Sequence, residues 1–283
     1  MMRTTHDAPP DAVPDAAGII YHGGPVLGTV TGKPVHLYFI YYGKWSTSDP
    51  GGPAIMHNFG SNLGGSGYWN ILTTYVEPNG TFIKNAVTLH GEYTDTGSQG
   101  SNLNDTTLQT VVQTAISGGH LPLDANGVYE VLTSSEVTET SGFCNAYCGF
   151  HNHMTFSGKQ IKYAFIGNPV HCTSFGGVAD CQGDRNNISH SPNNDPGVDA
   201  MVSVIAHESE EATSDPTFVG WYFSSGAEDA DECAYTYGTV HPVGNGSDYN
   251  IALGGAKYLI QQNWIGPGGT GGTGGEKCAM RYP

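Results

Sequence analysis

His207-Glu208-x-x-Glu211 is the segment of this chain whose residue types and spacing could do chemistry. Residues four apart share one face of a helix, so an imidazole at 207 and a carboxylate at 211 can point at the same ion. Glu208 sits about 100° further round the helix, within reach of a water on that ion. The pattern is that of the His-Glu-x-x-His helix of zinc proteases with the second histidine replaced by a carboxylate. Zinc accepts carboxylate oxygen at ~2.0–2.2 Å, so the replacement is chemically allowed. Chance would place the motif in a chain of this composition about 0.02 times. The competing reading is an acidic helix end facing water, with Glu208, Glu210 and Glu211 binding nothing. Against it, the motif continues an apolar stripe of Val198, Met201, Val202 and Ile205.

A catalytic zinc takes three protein ligands. Asp215 would lie about 12 Å from His207 along a straight helix and can join only if the chain curls back. The acidic run Glu228-Asp229-Ala230-Asp231-Glu232-Cys233 is the better source. Glu228 is the expected third ligand, with Asp231 as the alternative or as the acceptor that orients His207. The same run could instead hold calcium, which favours oxygen donors. His151 and His153 could approach the same cleft. Tyr235, Tyr237 and His241 could polarise a carbonyl if the chain folds back over the helix.

These residues need a frame. Asp195 is a good N-cap, Pro196 suits a first helical turn, and Pro216 disfavours helical geometry at Asp215, so a helix should end near Thr213 or Ser214. Val35–Tyr42, β-branched and aromatic on both faces, reads as a central strand covered on both sides. Ala86–Tyr93, Val128–Thr133 and Ile161–Gly167 read as further strands, and Asp105–Ile116 as a helix stopped by Gly118-Gly119. Residues 51–67 are Gly/Ser/Asn-rich, Tyr68–Tyr75 reads as the end of a helix, and 171–195 as a cysteine-stapled loop. Residues 1–18 read as a disordered lead and 266–275 as a Gly-rich loop tethered at Cys278. The expectation is a single α+β domain over 19–283. It would have a mixed β-sheet, a central zincin-like active-site helix and disulfide-stapled loops.

Six cysteines follow one another as Cys144 and Cys148, Cys172 and Cys181, Cys233 and Cys278. Their spacing does not match a zinc ribbon, and pairing each with its neighbour in sequence is the expectation. Even cysteines, scarce lysine, abundant tyrosine and sequons at Asn79, Asn104, Asn187 and Asn245 point to an oxidising, extracellular setting. Residues 1–18 contain no apolar stretch of a secretion signal, so the expectation is a signal already removed or another export route. Of the 283 residues, 10 are Lys or Arg and 26 Asp or Glu, a formal charge of −16. That balance excludes a protein that tracks phosphate backbones. No window approaches the ~18–20 apolar residues that cross a bilayer. The expected molecule is a soluble monomer whose partner is a peptide or protein substrate.

Several segments occur in a familiar order: Tyr21-His22-Gly23-Gly24-Pro25-Val26, Val35–Trp45, Gly142-Phe143-Cys144-x-x-x-Cys148-Gly149-x-His151, Ala164-Phe165-Ile166-Gly167-Asn168 and Gly197-Val198-Asp199-Ala200-Met201. Through them the chain resembles the phosphate-induced protein 1 (EXORDIUM-like) family. The resemblance implies fold and export: its plant members are extracellular, linked to growth signalling, and have no established enzymatic chemistry. The run from His207 to Pro216, with Gly220-Trp221 and Glu228–Cys233, looks like that of a microbial branch. Activity must therefore be argued from the residues. One expectation is a secreted zinc endopeptidase in which His207, Glu211 and Glu228 or Asp231 hold the ion and Glu208 is the general base. The other is a non-catalytic extracellular module that binds wall glycan or a receptor and holds structural calcium. A glycoside hydrolase with carboxylates ~5–9 Å apart would leave the histidine before Glu208 unexplained.

Overall fold

The computed structural model describes residues 18–30, 33–173, 181, 189–268 and 275–283. The expected N-terminal lead, part of the 171–195 loop and the tip of the Gly-rich loop lie outside the described residues. The main sheet contains β1 (Val35–Tyr42), β2 (Val87–Asp95), β3 (Gly127–Thr133), β4 (Gly149–Phe156) and β5 (Lys159–Ile166). The strand order is β2-β1-β3-β5-β4. All neighbours are parallel except β4, which runs antiparallel to β5. Ser157 and Gly158 turn the β4–β5 hairpin with φ of 48° and 76°, the left-handed pair that a tight two-residue hairpin requires.

Three helices cover this sheet: α1 (Gly52–Asn62), α2 (Asp105–Ser117) and α3 (Pro196–Ser214). Side chains alternate across β1, so Leu37, Phe39 and Tyr41 pack with α1 and α3, while Tyr38, Ile40 and Tyr42 pack with α2 on the other face. This double cover explains why β1 is apolar throughout. Asp195 caps α3 by accepting from Val198 N at 3.3 Å, and the helix stops at Ser214. Every α3 side chain from Gly197 to Ser214 is buried, so the helix lies in the interior and has no water-facing side. Within the Gly/Ser/Asn-rich stretch 51–67, α1 forms because Met56, Phe59 and Leu63 recur at helical spacing and are fully buried. Tyr68–Tyr75 contains a short 3₁₀ helix, Trp69–Thr74. No helix among the described residues is long and apolar enough to cross a membrane.

Two of the expected disulfides are corrected. The bonds join Cys144 to Cys172, Cys148 to Cys181 and Cys233 to Cys278. Cys148 is buried with Cys181 among residues facing α3, whereas Cys144 packs with Cys172 against the α2 side. Cys144 and Cys148 thus leave their turn toward opposite faces of the sheet and cannot pair. Non-reducing peptide mapping should recover 144–172 and 148–181. The double variant C148S/C181S should lose about 3–4 kcal/mol of stability in a denaturant melt, because a 33-residue separation is released in the unfolded chain. Recovery of a 144–148 peptide would refute this arrangement. Among the sequons, Asn79 sits exposed in a turn, Asn104 caps α2, Asn245 donates to Ser191 O, and Asn187 lies outside the described residues.

Candidate metal centre

The second half of α3 presents His207, Glu208 and Glu211 toward β4 and the loop at 228–231. Gly149, the first residue of β4, makes this approach possible. A Cβ there would meet Val204 Cγ1 at 2.4 Å and Phe165 O at 2.7 Å. Two residues on, on the same side of the strand, His151 enters the space beside the helix. Its Nδ1 lies 3.5 Å from Glu208 Oε2 and 3.4 Å from Glu211 Oε2, and its Nε2 lies 3.6 Å from Glu228 Oε1. On the other side of Glu211, His207 Nε2 is 2.8 Å from Glu211 Oε1 and 3.4 Å from Asp231 Oδ1. The acidic loop is latched in place: Asp231 N donates to Glu211 Oε1 at 3.0 Å, and Glu228 N donates to Asp231 Oδ2 at 3.2 Å. His207 Nδ1 donates to Gln261 Oε1 at 3.1 Å, which fixes the ring and leaves Nε2 facing the carboxylates.

His207, Glu208, Glu211, Glu228 and His151 are all shut off from water. The reading of Glu208, Glu210 and Glu211 as a solvated helix end is therefore corrected, because α3 is covered on every side. Among the described residues, Glu208, Glu211, Glu228 and Asp231 pair with histidines alone. Both ring nitrogens of His151, His207 Nε2, both oxygens of Glu208 and Glu228, and Glu211 Oε2 make no hydrogen bond. Burying a charge without compensation costs several kcal/mol, so this cluster must hold protons, a cation, or both.

The electrostatics follow from that crowding. Burial pushes the Glu208 carboxyl up, against the pull of His151 and His207. Burial likewise raises Glu228 well above the carboxylate range, opposed by His151 and reinforced by repulsion from Glu211, Asp215 and Asp231. Glu211 is the exception: burial works to raise it, but His207 and His151 flank both oxygens and hold it down. The two imidazoles respond in kind. Burial disfavours their charged forms, yet Glu228, Glu208 and Glu211 around His151, and Glu211 and Asp231 around His207, raise both well above the usual histidine range.

Further buried carboxylates surround the centre. Glu210 accepts from Asn263 Nδ2, and Asp229, pushed up to about 7 by burial and by Glu211, accepts from Ala230 N at 3.0 Å. Glu130, in the middle of β3, accepts from Ser209 Oγ at 2.5 Å. Burial, opposed by that bond and reinforced by Glu208, raises Glu130 to about 8. Its folded form therefore binds a proton between the unfolded value near 4.3 and about 8, so its contribution to stability is lost as pH rises through that window. E130Q removes the ionisable group. The melting temperature of the variant relative to wild type should rise by several degrees from pH 5 to pH 8, and parallel pH profiles would refute this.

Other residues singled out in the sequence lie elsewhere or act differently. Asp215 Oδ1 accepts from Gly220 N at 2.6 Å and so shapes the turn after α3. His153 lies beside His151 under the ring of Phe218, whose centroid is 5.1 Å from His151 and 5.3 Å from His153. The Tyr235 hydroxyl is buried with no hydrogen bond, while the Tyr237 carbonyl accepts from Asn250 Nδ2 at 2.9 Å. His241 is exposed, in a two-residue strand paired with Asp248–Tyr249, so it does not fold over the helix. It lines a cavity of about 1030 Å³ among the C-terminal strands, together with Lys277 and Arg281. No histidine or carboxylate of the buried centre lines that cavity. Gln261 and Glu130 were not anticipated; an acidic residue inside the apolar run Val128–Thr133 was the available signal for the second.

Fold and site together define a class: a disulfide-stapled domain with helices on both faces of a mostly parallel sheet, whose central helix carries a sealed histidine–carboxylate centre. The family described as "Phosphate-induced protein 1 conserved region" matches residues 19–264, and the chain belongs to it. It is 32% identical over 277 residues to Protein EXORDIUM-like 5 of Arabidopsis thaliana, covering 86% of this chain and 74% of that one. It is 33% identical over 279 residues to Protein EXORDIUM-like 3 of the same plant, covering 86% and 79%. Protein EXORDIUM, also of that plant, is 28% identical over 246 residues, covering 77% and 73%. No solved structure matches the chain.

Proposed function

We propose that the chain is an extracellular zinc-dependent hydrolase that cleaves peptide bonds, its ion held by His207, Glu211 and Asp231. The observation that carries this reading is the convergence of nitrogen and oxygen donors from His207, Glu211 and Asp231, among which His207 Nε2 and Glu211 Oε2 are buried without a hydrogen bond. Imidazole mixed with carboxylate suits zinc, whereas calcium would account for the carboxylates but not for two buried imidazoles. At a tetrahedral zinc with bonds of ~2.1 Å, neighbouring ligand atoms lie about 3.4 Å apart. Asp231 thus takes the third position expected of Glu228, which faces His151 instead.

A zinc ion in that place supplies Lewis acidity, lowering the pKa of water and stabilising developing oxyanion charge. The protein does the rest. Glu208 Oε1 accepts the proton that the attacking water loses and returns it to the leaving amine. Burial, by raising its proton affinity, suits it to both halves of that exchange. Gln261 holds the His207 tautomer, and Asp231 N holds Glu211. The disulfides and the EXORDIUM-like relatives support an extracellular setting. Assignment to a microbial branch of the family rests on the same His-Glu-x-x-Glu motif and belongs to this proposal.

Closure of the centre favours a second reading: a non-catalytic extracellular module whose cation is structural and whose aromatic surface binds wall glycan or a receptor. Zinc-loaded protein incubated with a mixed peptide library, beside Glu208→Gln, separates the two. Cleavage that disappears in the variant supports the hydrolase. No cleavage by folded, loaded protein supports the module.

A further inference from the structure

The buried centre contains two ligand sets, and Glu211 is common to both. One is His207, Glu211 and Asp231; the other is His151, Glu208 and Glu211. Within each set the donor atoms lie within 4.8 Å of one another. Glu211 divides its oxygens between them, with Oε1 toward His207 and Oε2 toward His151.

The second set is built like the first. His151 Nδ1 lies 3.5 Å from Glu208 Oε2 and 3.4 Å from Glu211 Oε2. Both gaps exceed a good hydrogen bond and match the ~3.4 Å expected between ligands of one tetrahedral ion. The ring is 3% exposed, and neither nitrogen has a hydrogen-bond partner, so it is a desolvated donor aimed at carboxylates. Its far nitrogen faces Glu228 Oε1 at 3.6 Å. Glu228 thus flanks the ring on the side away from Glu208 and Glu211, leaving Nδ1 for the ligand set.

We propose that the site holds two divalent transition-metal ions bridged by the Glu211 carboxylate, the second ligated by His151 Nδ1 and Glu208 Oε2. This rests on the metal-binding reading above but does not depend on peptidase activity. In a two-ion centre Glu208 is engaged through Oε2 and offers Oε1 to a proton. A bridging carboxylate suits ions about 3.5–4 Å apart, the spacing of two-metal hydrolytic sites.

The test is to strip the full chain of metal, titrate it with Zn²⁺, desalt it and count bound zinc, with circular dichroism as the check on folding. Two ions per chain are expected in the wild type, one in His151→Asn, one in His207→Ala, and less than one in Glu211→Gln. A single ion in the folded wild type, retained in His151→Asn, would overturn the second site and leave the metal reading standing. Two ions that both persist in His151→Asn would overturn it as well. No zinc in a folded wild type would sink both. The wild-type count decides between one ion and two even where a variant fails to fold.

Discussion

Stripping the ion with a chelator is expected to lower the melting temperature by about 10 °C, and adding Zn²⁺ back should restore it. A ligand present at about a thousand times its dissociation constant stabilises the fold by ~4 kcal/mol, and in a domain of this size each kcal/mol is worth ~2–4 °C. The effect should be large here because only two histidines and two backbone N–H groups compensate the cluster. Among the described residues its carboxylates form ion pairs with histidines alone, and several of their oxygens have no hydrogen bond. The shift should also shrink toward low pH, because protons and metal compete for the same donors. A melt that is indifferent to chelator at neutral pH, with zinc shown to be removed, would mean that protons alone keep the cluster stable.

Glu208→Gln should reduce peptide cleavage by about 10²–10⁴-fold, the usual worth of a positioned general base. Glutamine keeps the volume that packs against Gly149 and α3, so the fold should survive. Stability of the metal-free protein should hold or improve, because a buried carboxylate raised by desolvation is a cost to the folded state. The informative outcome is therefore activity lost with the metal-free melting curve intact and zinc still present at His207. Equal cleavage by variant and wild type would remove Glu208 from the chemistry and, with it, the peptidase reading.

Much of the helix that carries the candidate centre was legible in the sequence because its signals are local. Asp195, Pro196 and Pro216 mark its ends, the i, i+4 rule places His207 beside Glu211, and an apolar stripe turns the motif inward. His151 was only a candidate, since it lies on a strand more than fifty residues earlier in the chain. What brings it in is sheet order: β4 folds back antiparallel on β5 and meets α3 at Gly149. No periodicity within one element encodes that meeting. The choice of Asp231 over Glu228 depends on how Asp231 N latches onto Glu211, which is a tertiary contact. The disulfides misled for a similar reason. Sequence proximity suggested Cys144–Cys148, whereas the two residues leave their turn toward opposite faces. In α1, glycine and asparagine obscured a helix that only the spacing of Met56, Phe59 and Leu63 carries.

The central claim is that this buried centre is a transition-metal site. Elemental analysis of the purified, desalted protein beside His207→Ala tests it most directly. At least one zinc per chain is expected in the wild type, with one fewer in the variant. Calcium alone, or no metal in a fully folded protein, would contradict the claim.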